Sequence, residues 1–262
     1  MVLLDLSGRL SILGLRAIMH NIIVTCTQNA AVHLNDEETS ELIKASLLHL
    51  HIFRPDSTPS LLATLASIPS YLLARPPTHS SSHRRLGLIA ITDLSTFLYQ
   101  DRFDSETASF ESAARHPGAA NELFNSRYRT LVARLRDIHS IFSPTIIATD
   151  WALAPSSSFM GYPAIRPHLP AAWTNFVTLR LVVERERAVK FGAGLSVEDA
   201  ESQGEERREA VSKSHFLGWI NWWGADGWKD GVREGLKGLK SGVRGMFGFV
   251  IDERGVEVDD TG

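Results

Sequence analysis

The residues that most constrain the fold are 86–95, in the first half of the chain. Their first six residues are apolar or glycine, with two isoleucines, and the run is soon followed by Asp93. A short, uninterrupted apolar run of this kind predicts a strand that is buried on both faces, as in a parallel sheet. Sheets built from such strands are covered by helices. This run therefore predicts an α/β fold.

Asp93 and Ser95 come directly after this predicted strand. In open α/β sheets, ligands bind beyond the carboxyl ends of the strands. A carboxylate there can hold a Mg²⁺-bound water beside a nucleotide phosphate, as the Walker B acid of P-loop ATPases does. Alternatively, Asp93 caps the segment that begins at Leu94. Both interpretations stay open at this point.

Strands and helices alternate along the first 150 residues. The apolar patterns predict strands at residues 2–6, 48–53, 86–91 and 145–149, and helices at residues 10–23, 36–47, 59–73 and 119–142. Pro69 is expected to kink or end the third helix. Residues 173–183 predict another strand, and residues 247–258 predict a terminal hairpin. The order predicts a mostly parallel sheet flanked by helices, with an antiparallel extension.

Composition excludes several classes of protein. Cys26 is the only cysteine, so no internal disulfide can form, which fits a reducing compartment such as the cytosol or nucleus. The net charge of -3 gives no overall basic field of the kind that attracts nucleic acid. No apolar run approaches the ~18 residues of a membrane-spanning helix. We therefore expect a globular protein without a membrane span.

His49 and His51 lie two residues apart on a predicted strand, so their side chains share a face. A metal-binding pair is one interpretation, although no third ligand is evident from the sequence. A packed or solvated pair is the other, and we assign no metal ligand and no catalytic residue.

Residues 214–245 combine tryptophans with glycines and spaced lysines. Each glycine lowers helix stability by ~1 kcal/mol, so the segment predicts a marginal helix with Trp219, Trp222 and Trp223 on one face. These rings either pack on the protein's own sheet, or dock on a partner or single-stranded DNA. In the second case Lys237 and Lys240 would meet phosphates.

Five segments of the chain carry a family resemblance: residues 2–6, 49–65, 86–102, 169–173 and 249–257. In this order they resemble eukaryotic RecA-type recombinase paralogues, above all the short X-ray-repair cross-complementing type without an N-terminal helical domain. Residues 86–102 resemble the Walker B strand and the loop after it. Residues 169–173 resemble the family's Leu-x-x-Ala-Trp run, and residues 249–257 its terminal hairpin. Residues 184–245 fall outside the resemblance.

The resemblance implies a single RecA-like P-loop NTPase domain across residues 1–262, with residues 184–245 as an atypical, partly disordered insertion. It implies that ATP and Mg²⁺ lie near Asp93, Ser95 and Thr149. The sequence departs from the family in two ways. It contains no G-x-x-x-x-G-K-[ST] motif, so we expect an N-terminally truncated domain without the first strand and P-loop, and no cofactor for this chain. Asp150 follows Thr149 where the family tends to carry a Thr/Gln pair, and an acid there repels phosphate.

Three functions remain open. The resemblance implies a non-catalytic, nuclear subunit of a multi-paralogue complex that assists homologous recombination repair of DNA double-strand breaks. Its partners would be other recombinase paralogues and, through the complex, single-stranded or branched DNA. The second possibility is an active DNA-dependent ATPase of the RecA type. The third is a peripheral membrane or scaffold protein that acts through the Trp/Lys segment 214–245.

Overall fold

The computed structural model describes residues 1–30, 32–75, 78–112, 119–152, 157–159, 162–186, 215–224, 227–238, 246–252 and 255–258, with 201, 204, 208 and 211. The chain divides into two compact units. The first contains residues 1–12, 34–153 and 167–177, and the second contains residues 13–33, 154–166 and 178–262. The single domain expected across residues 1–262 stays a prediction.

The chain is an α/β protein, as the sequence predicts. Its first helix, α1 (Ile12–Asn29), belongs to the second unit. The first unit contains, in order, β1 (Val2–Asp5), α2 (Asp36–Leu47), β2 (His51–Phe53), α3 (Thr58–Leu72), β3 (Leu88–Thr92), α4 (Leu98–Ser112), α5 (Ala119–Phe142), β4 (Thr145–Ala148) and α6 (Ala171–Thr174). Its four strands form a continuous parallel sheet in the order β2-β1-β3-β4.

The core of the first unit covers one face of this sheet. It joins alternate residues of β1 and β3 to α3 and α5, through Val2, Leu4, Ile89, Ile91, Leu61, Leu65, Ile68, Leu131, Leu135 and Ile138. On β3, Leu88, Ala90 and Thr92 point to the other face and are only half-buried. The prediction that β3 is buried on both faces therefore holds for the face of Ile89 and Ile91, against which α3 and α5 pack, whereas the other face is only half-buried.

Local sequence explains where the helices begin. Asn35 and Glu38 form a capping box at α2, with Asn35 Oδ1 accepting from the Glu38 N–H at 2.8 Å and Glu38 accepting from the Asn35 N–H at 2.9 Å. Ser57 caps α3 through the Ser60 N–H at 3.3 Å. Pro69 lies inside α3, which ends three residues later at Leu72.

The second unit is built around an antiparallel sheet. Besides α1 it contains β5 (Ser157–Phe159), β6 (Tyr162–Ala164), β7 (Leu181–Arg185), β8 (His215–Ile220), α7 (Asp230–Gly238), β9 (Met246–Asp252) and β10 (Gly255–Val258). The main sheet has the order β10-β9-β8-β7. The predicted terminal hairpin is confirmed, with Val256 opposite Ile251.

Two predicted elements in this part of the chain are wrong. Residues 173–183 do not form one strand, because Trp173 lies in α6 and β7 begins only at Leu181. Trp219 is not on a helix, because residues 215–220 form β8. A Cβ at Gly218 would lie 2.4 Å from the Phe247 ring opposite it, so glycine leaves the space in which this ring lies across β8.

The range 184–245 contains β8 and α7, and most of its remaining residues lie outside the described residues. Within the part of the chain that is described, no helix combines the length and apolar character needed to cross a membrane.

Candidate functional site

The carboxyl ends of the four parallel strands meet at one edge of the sheet, as the sequence predicts for residues that follow β3 and β4. β1 is flanked by β2 on one side and β3 on the other, so the chain reverses direction across the sheet between β1 and β3. Such a reversal point opens a crevice where α/β proteins bind ligands. The polar residues at this edge therefore form the candidate site.

Asp5 ends β1 at this reversal point. Its side chain is 1% exposed, and it lies opposite Thr92 of β3. Its Oδ2 accepts from the Leu10 N–H at 3.3 Å and from Arg54 Nε at 3.2 Å, while the Thr92 hydroxyl donates to Oδ1 at 3.4 Å. A buried carboxylate needs such partners, so Asp5 is held as part of the sheet edge.

Asp93 follows β3 with a backbone φ of 50°, the left-handed region that Asp adopts more readily than most residues. Its N–H donates to Thr149 Oγ1 at 2.9 Å, and its carbonyl accepts from the Thr96 N–H at 2.8 Å. Among the described residues, no donor forms a hydrogen bond with the Asp93 carboxylate. It is the Asp93 carbonyl that closes the turn after β3, so the capping interpretation does not describe this carboxylate.

Asp150 lies beside this turn, after β4. Its carboxylate accepts from the hydroxyl and the N–H of Ser95, and from the Trp151 N–H at 3.0 Å. His168 Nε2 lies 3.6 Å from Asp150 Oδ2, too far for a hydrogen bond, and this buried nitrogen has no partner in the described part of the chain. The pKa of Asp150 is raised, because burial outweighs the hydrogen bonds from Ser95 and the charge of His168.

Burial is the largest influence on the pKa values of the groups at this edge. Burial first, and then the charges of Asp101 and Asp150, raise the pKa of the Tyr128 hydroxyl, which therefore stays neutral. A folded site that raises the pKa of both a carboxyl and a phenol favours protonated, uncharged groups. At this edge Asp150 is the carboxyl whose protonated form is favoured.

The structure brings the predicted nucleotide residues Asp93, Ser95 and Thr149 together. The Thr149 hydroxyl receives the Asp93 N–H, and the Ser95 hydroxyl is bound to Asp150. Three acids end the strands: Asp5 is paired with Arg54, Asp150 has a raised pKa, and Asp93 accepts no side-chain hydrogen bond among the described residues. No metal-binding group of three His, Cys, Asp or Glu side chains occurs in the described residues.

The predicted Trp/Lys contacts are divided between the interior and the surface of the second unit. Trp219 is 3% exposed, and Trp222 packs with the buried Trp228 at a ring distance of 5.6 Å. Trp223 is 37% exposed. Lys237 lies on α7, and Lys240 lies outside the described residues. A role of these residues in binding DNA or a partner stays a prediction, and Trp223 has the most accessible ring of the three.

Sequence reasoning missed Arg54 and His168 and did not place Asp5 in the site. The rule that ligands bind at the carboxyl ends of parallel strands could have found Asp5 and Arg54, because Asp5 lies near the end of one predicted strand and Arg54 follows another. His168 offers no such signal, since residues 151–170 read as a long loop.

Comparison with known proteins finds no matching family model and no matching curated protein. The function is therefore argued from the site and from the five segments quoted above.

Proposed function

We propose that the chain is a non-catalytic recombinase paralogue of RecA-like fold. It acts in the nucleus, in a complex with other paralogues, and assists homologous recombination repair of DNA double-strand breaks. Single-stranded or branched DNA is bound through the complex. The proposal has two parts, the absence of ATP hydrolysis and the place in the repair complex, and they rest on different observations.

The residues at the carboxyl ends of the parallel strands support the absence of ATP hydrolysis. Phosphoryl transfer needs backbone N–H groups and a lysine around the phosphates, together with a metal. At this edge the Ser95 hydroxyl is engaged by Asp150, a partly exposed acid, and Thr149 Oγ1 accepts from the Asp93 N–H. Of the three acids at this edge, Asp93 is the one whose carboxylate accepts no hydrogen bond from the described residues. This arrangement favours a subunit that does not hydrolyse ATP over an active ATPase.

The order of the elements supports the second part. The five segments that resemble the paralogues fall, in order, on β1, on β2 with α3, on β3 with α4, on α6, and on the β9–β10 hairpin. Each has the element type that the resemblance implies, except that the run at residues 169–173 enters a short helix before β7. No feature of the described residues favours the membrane or scaffold alternative.

A repair assay with restored variants tests the proposal. We expect depletion of the protein from its own cells to reduce recombination repair of a nuclease-induced break while end joining continues. Wild type and Asp93→Ala should restore repair equally, because Asp93 has no catalytic role. ATP–Mg²⁺ titrated into either purified protein should give no binding heat at micromolar concentrations.

Two outcomes would contradict the proposal. Micromolar ATP binding that Asp93→Ala abolishes, with loss of repair at an unchanged melting temperature, would support an active ATPase instead. Unchanged repair after depletion would remove the protein from recombination altogether.

A further inference from the structure

A cavity of about 220 Å³ opens at the amino-terminal edge of the parallel sheet, the edge opposite the candidate site. It lies where β2 begins at His51 and where the chain approaches β3 at Leu86. The proposed function does not use this edge.

Fixed polar side chains form one wall of the cavity. The Ser81 hydroxyl lies 2.9 Å from both His49 Nδ1 and His51 Nε2. His51 Nδ1 lies 2.9 Å from the Tyr71 hydroxyl, and the His79 ring packs edge-on against His51 at 4.8 Å. Both ring nitrogens of His51 are therefore engaged, so the histidine pair does not present a metal site. The side chains of this wall are held by hydrogen bonds to one another.

The charge around the cavity is of one sign. Arg84 and Arg85 line it with exposed side chains, and none of the described side chains in its lining is acidic. Neither arginine forms an ion pair in the described part of the chain, although Arg85 Nε donates to the Phe142 carbonyl at 3.4 Å. Burial, and then the charge of Arg84, lowers the pKa of His49, so its imidazole stays neutral in a positive field.

The rest of the lining combines hydrocarbon surface with Ser82 and the Met1 amino group, which donates to the His49 carbonyl at 2.9 Å. Leu72, Leu86 and Phe142 contribute hydrocarbon surface, and Leu86 is buried. An engineered apolar cavity of about 150 Å³ is large enough for benzene. The present cavity therefore has room for one ring and a small polar group. A lining that is apolar on one side and cationic on the other matches a ligand that is divided in the same way.

We propose that this cavity binds a small phosphomonoester, with its phosphate at Arg84 and Arg85 and an apolar group of about one ring beside Leu72, Leu86 and Phe142. Arginine pairs with phosphate through two parallel hydrogen bonds, which makes it the stronger of the basic residues for this purpose. The Ser81 hydroxyl is shared between the two histidines, so on this wall the second ring nitrogen of His49, Nε2, is the group available to donate to the phosphate. The site is independent of the proposed function.

The test uses phenyl phosphate as the probe, with inorganic phosphate, benzoate and benzyl alcohol as comparisons. Binding to the full chain is followed at pH 7 by the NMR signals of the His49 and His51 rings. We expect saturable shifts with phenyl phosphate, and weaker binding of the other three compounds. Arg84→Gln should raise the dissociation constant of phenyl phosphate at least about tenfold, because a charge-assisted hydrogen bond is lost.

Arg129→Gln is the matched control, because Arg129 is exposed on α5 about 20 Å along the helix from Phe142. It should leave binding unchanged. If benzoate binds more tightly than phenyl phosphate, the site prefers carboxylates, and the proposal of a phosphomonoester ligand is wrong. Equal affinity for phenyl phosphate and inorganic phosphate would show attraction to surface charge only. Shifts that persist in Arg84→Gln, at an unchanged melting temperature, would also overturn the proposal, as would no saturable shift in wild type.

Discussion

Asp150 shows how one residue changes the character of the candidate site. It is an acid at the end of a strand, yet burial beside Ser95 and His168 favours its protonated form. Asp93 is different, because its side chain is half-exposed and accepts no hydrogen bond among the described residues. Its N–H donates to Thr149 Oγ1, and its carbonyl accepts from the Thr96 N–H in the turn after β3. The same residue type therefore has two roles at one edge of the sheet.

The raised pKa of Asp150 predicts a specific dependence of stability on pH. The folded protein binds this proton more tightly than the unfolded chain. Its contribution to the free energy of unfolding is therefore fully present below about pH 4, the ordinary range of an aspartate, and is lost as pH rises through the folded pKa. Asp150→Asn has no carboxyl proton to release, so the variant does not lose this stability as pH rises. We expect the variant to gain stability relative to wild type between pH 4 and pH 7, measured by urea unfolding.

Asp137→Asn is the control for this experiment, because Asp137 is an exposed acid on α5. The difference in free energy of unfolding between Asp137→Asn and wild type should change little over the same pH range. A difference between Asp150→Asn and wild type that stays constant with pH would show that Asp150 titrates normally.

At the scale of elements, the three helices α3, α4 and α5 are joined by one buried ionic group. Asp101 on α4 accepts from the Thr58 hydroxyl at the start of α3 at 2.7 Å, and it pairs with Arg127 on α5. Arg127 also reaches Asp104 at 3.4 Å. The Asp101 side chain is almost fully buried, so its charge depends on these partners.

Arg127→Met should lower the free energy of unfolding by about 3 kcal/mol, because it leaves the buried Asp101 charge without its cation. Arg129→Met changes an exposed arginine of the same helix and should stay within about 0.5 kcal/mol of wild type. Chemical denaturation of both variants measures the difference. The double variant Asp101→Leu with Arg127→Met should recover part of the loss, since no unpaired charge remains. Equal free energies of unfolding for Arg127→Met and Arg129→Met would show that the Asp101–Arg127 pair does not stabilise the packing of the three helices.

At the scale of the whole molecule, the second unit places its tryptophans in different environments. Trp222 packs against Trp228 and the apolar side chains of Ile220 and Leu236, whereas much of the Trp223 ring faces solvent. Binding and folding roles of this segment can therefore be separated by single substitutions, which the sequence pattern alone did not allow.

Trp223→Ala should leave the melting temperature nearly unchanged, and Trp222→Ala should lower it, because only the second ring packs in a cluster. If the segment contacts single-stranded DNA, Trp223→Ala should weaken oligonucleotide binding by the ~1–3 kcal/mol of one base–aromatic stack. Fluorescence anisotropy with a labelled oligonucleotide measures this loss. Trp151→Ala is the control, as Trp151 is exposed in the first unit. Equal binding by wild type and Trp223→Ala would exclude Trp223 as a stacking surface.

The sequence by itself determined the elements whose signals are local. The apolar runs of β1, β3 and β4, the capping box of α2 and the apolar spacing of α5 act within a few residues, so the α/β order and the terminal hairpin could be predicted. Only the tertiary structure decided the site, because its contacts join residues far apart in the chain. Arg54 meets Asp5 across 49 residues, and Asp93 meets Thr149 across 56. The same reason explains Trp219: pairing of β8 with β7 and β9 supplies backbone partners that outweigh a weak, glycine-rich helical tendency.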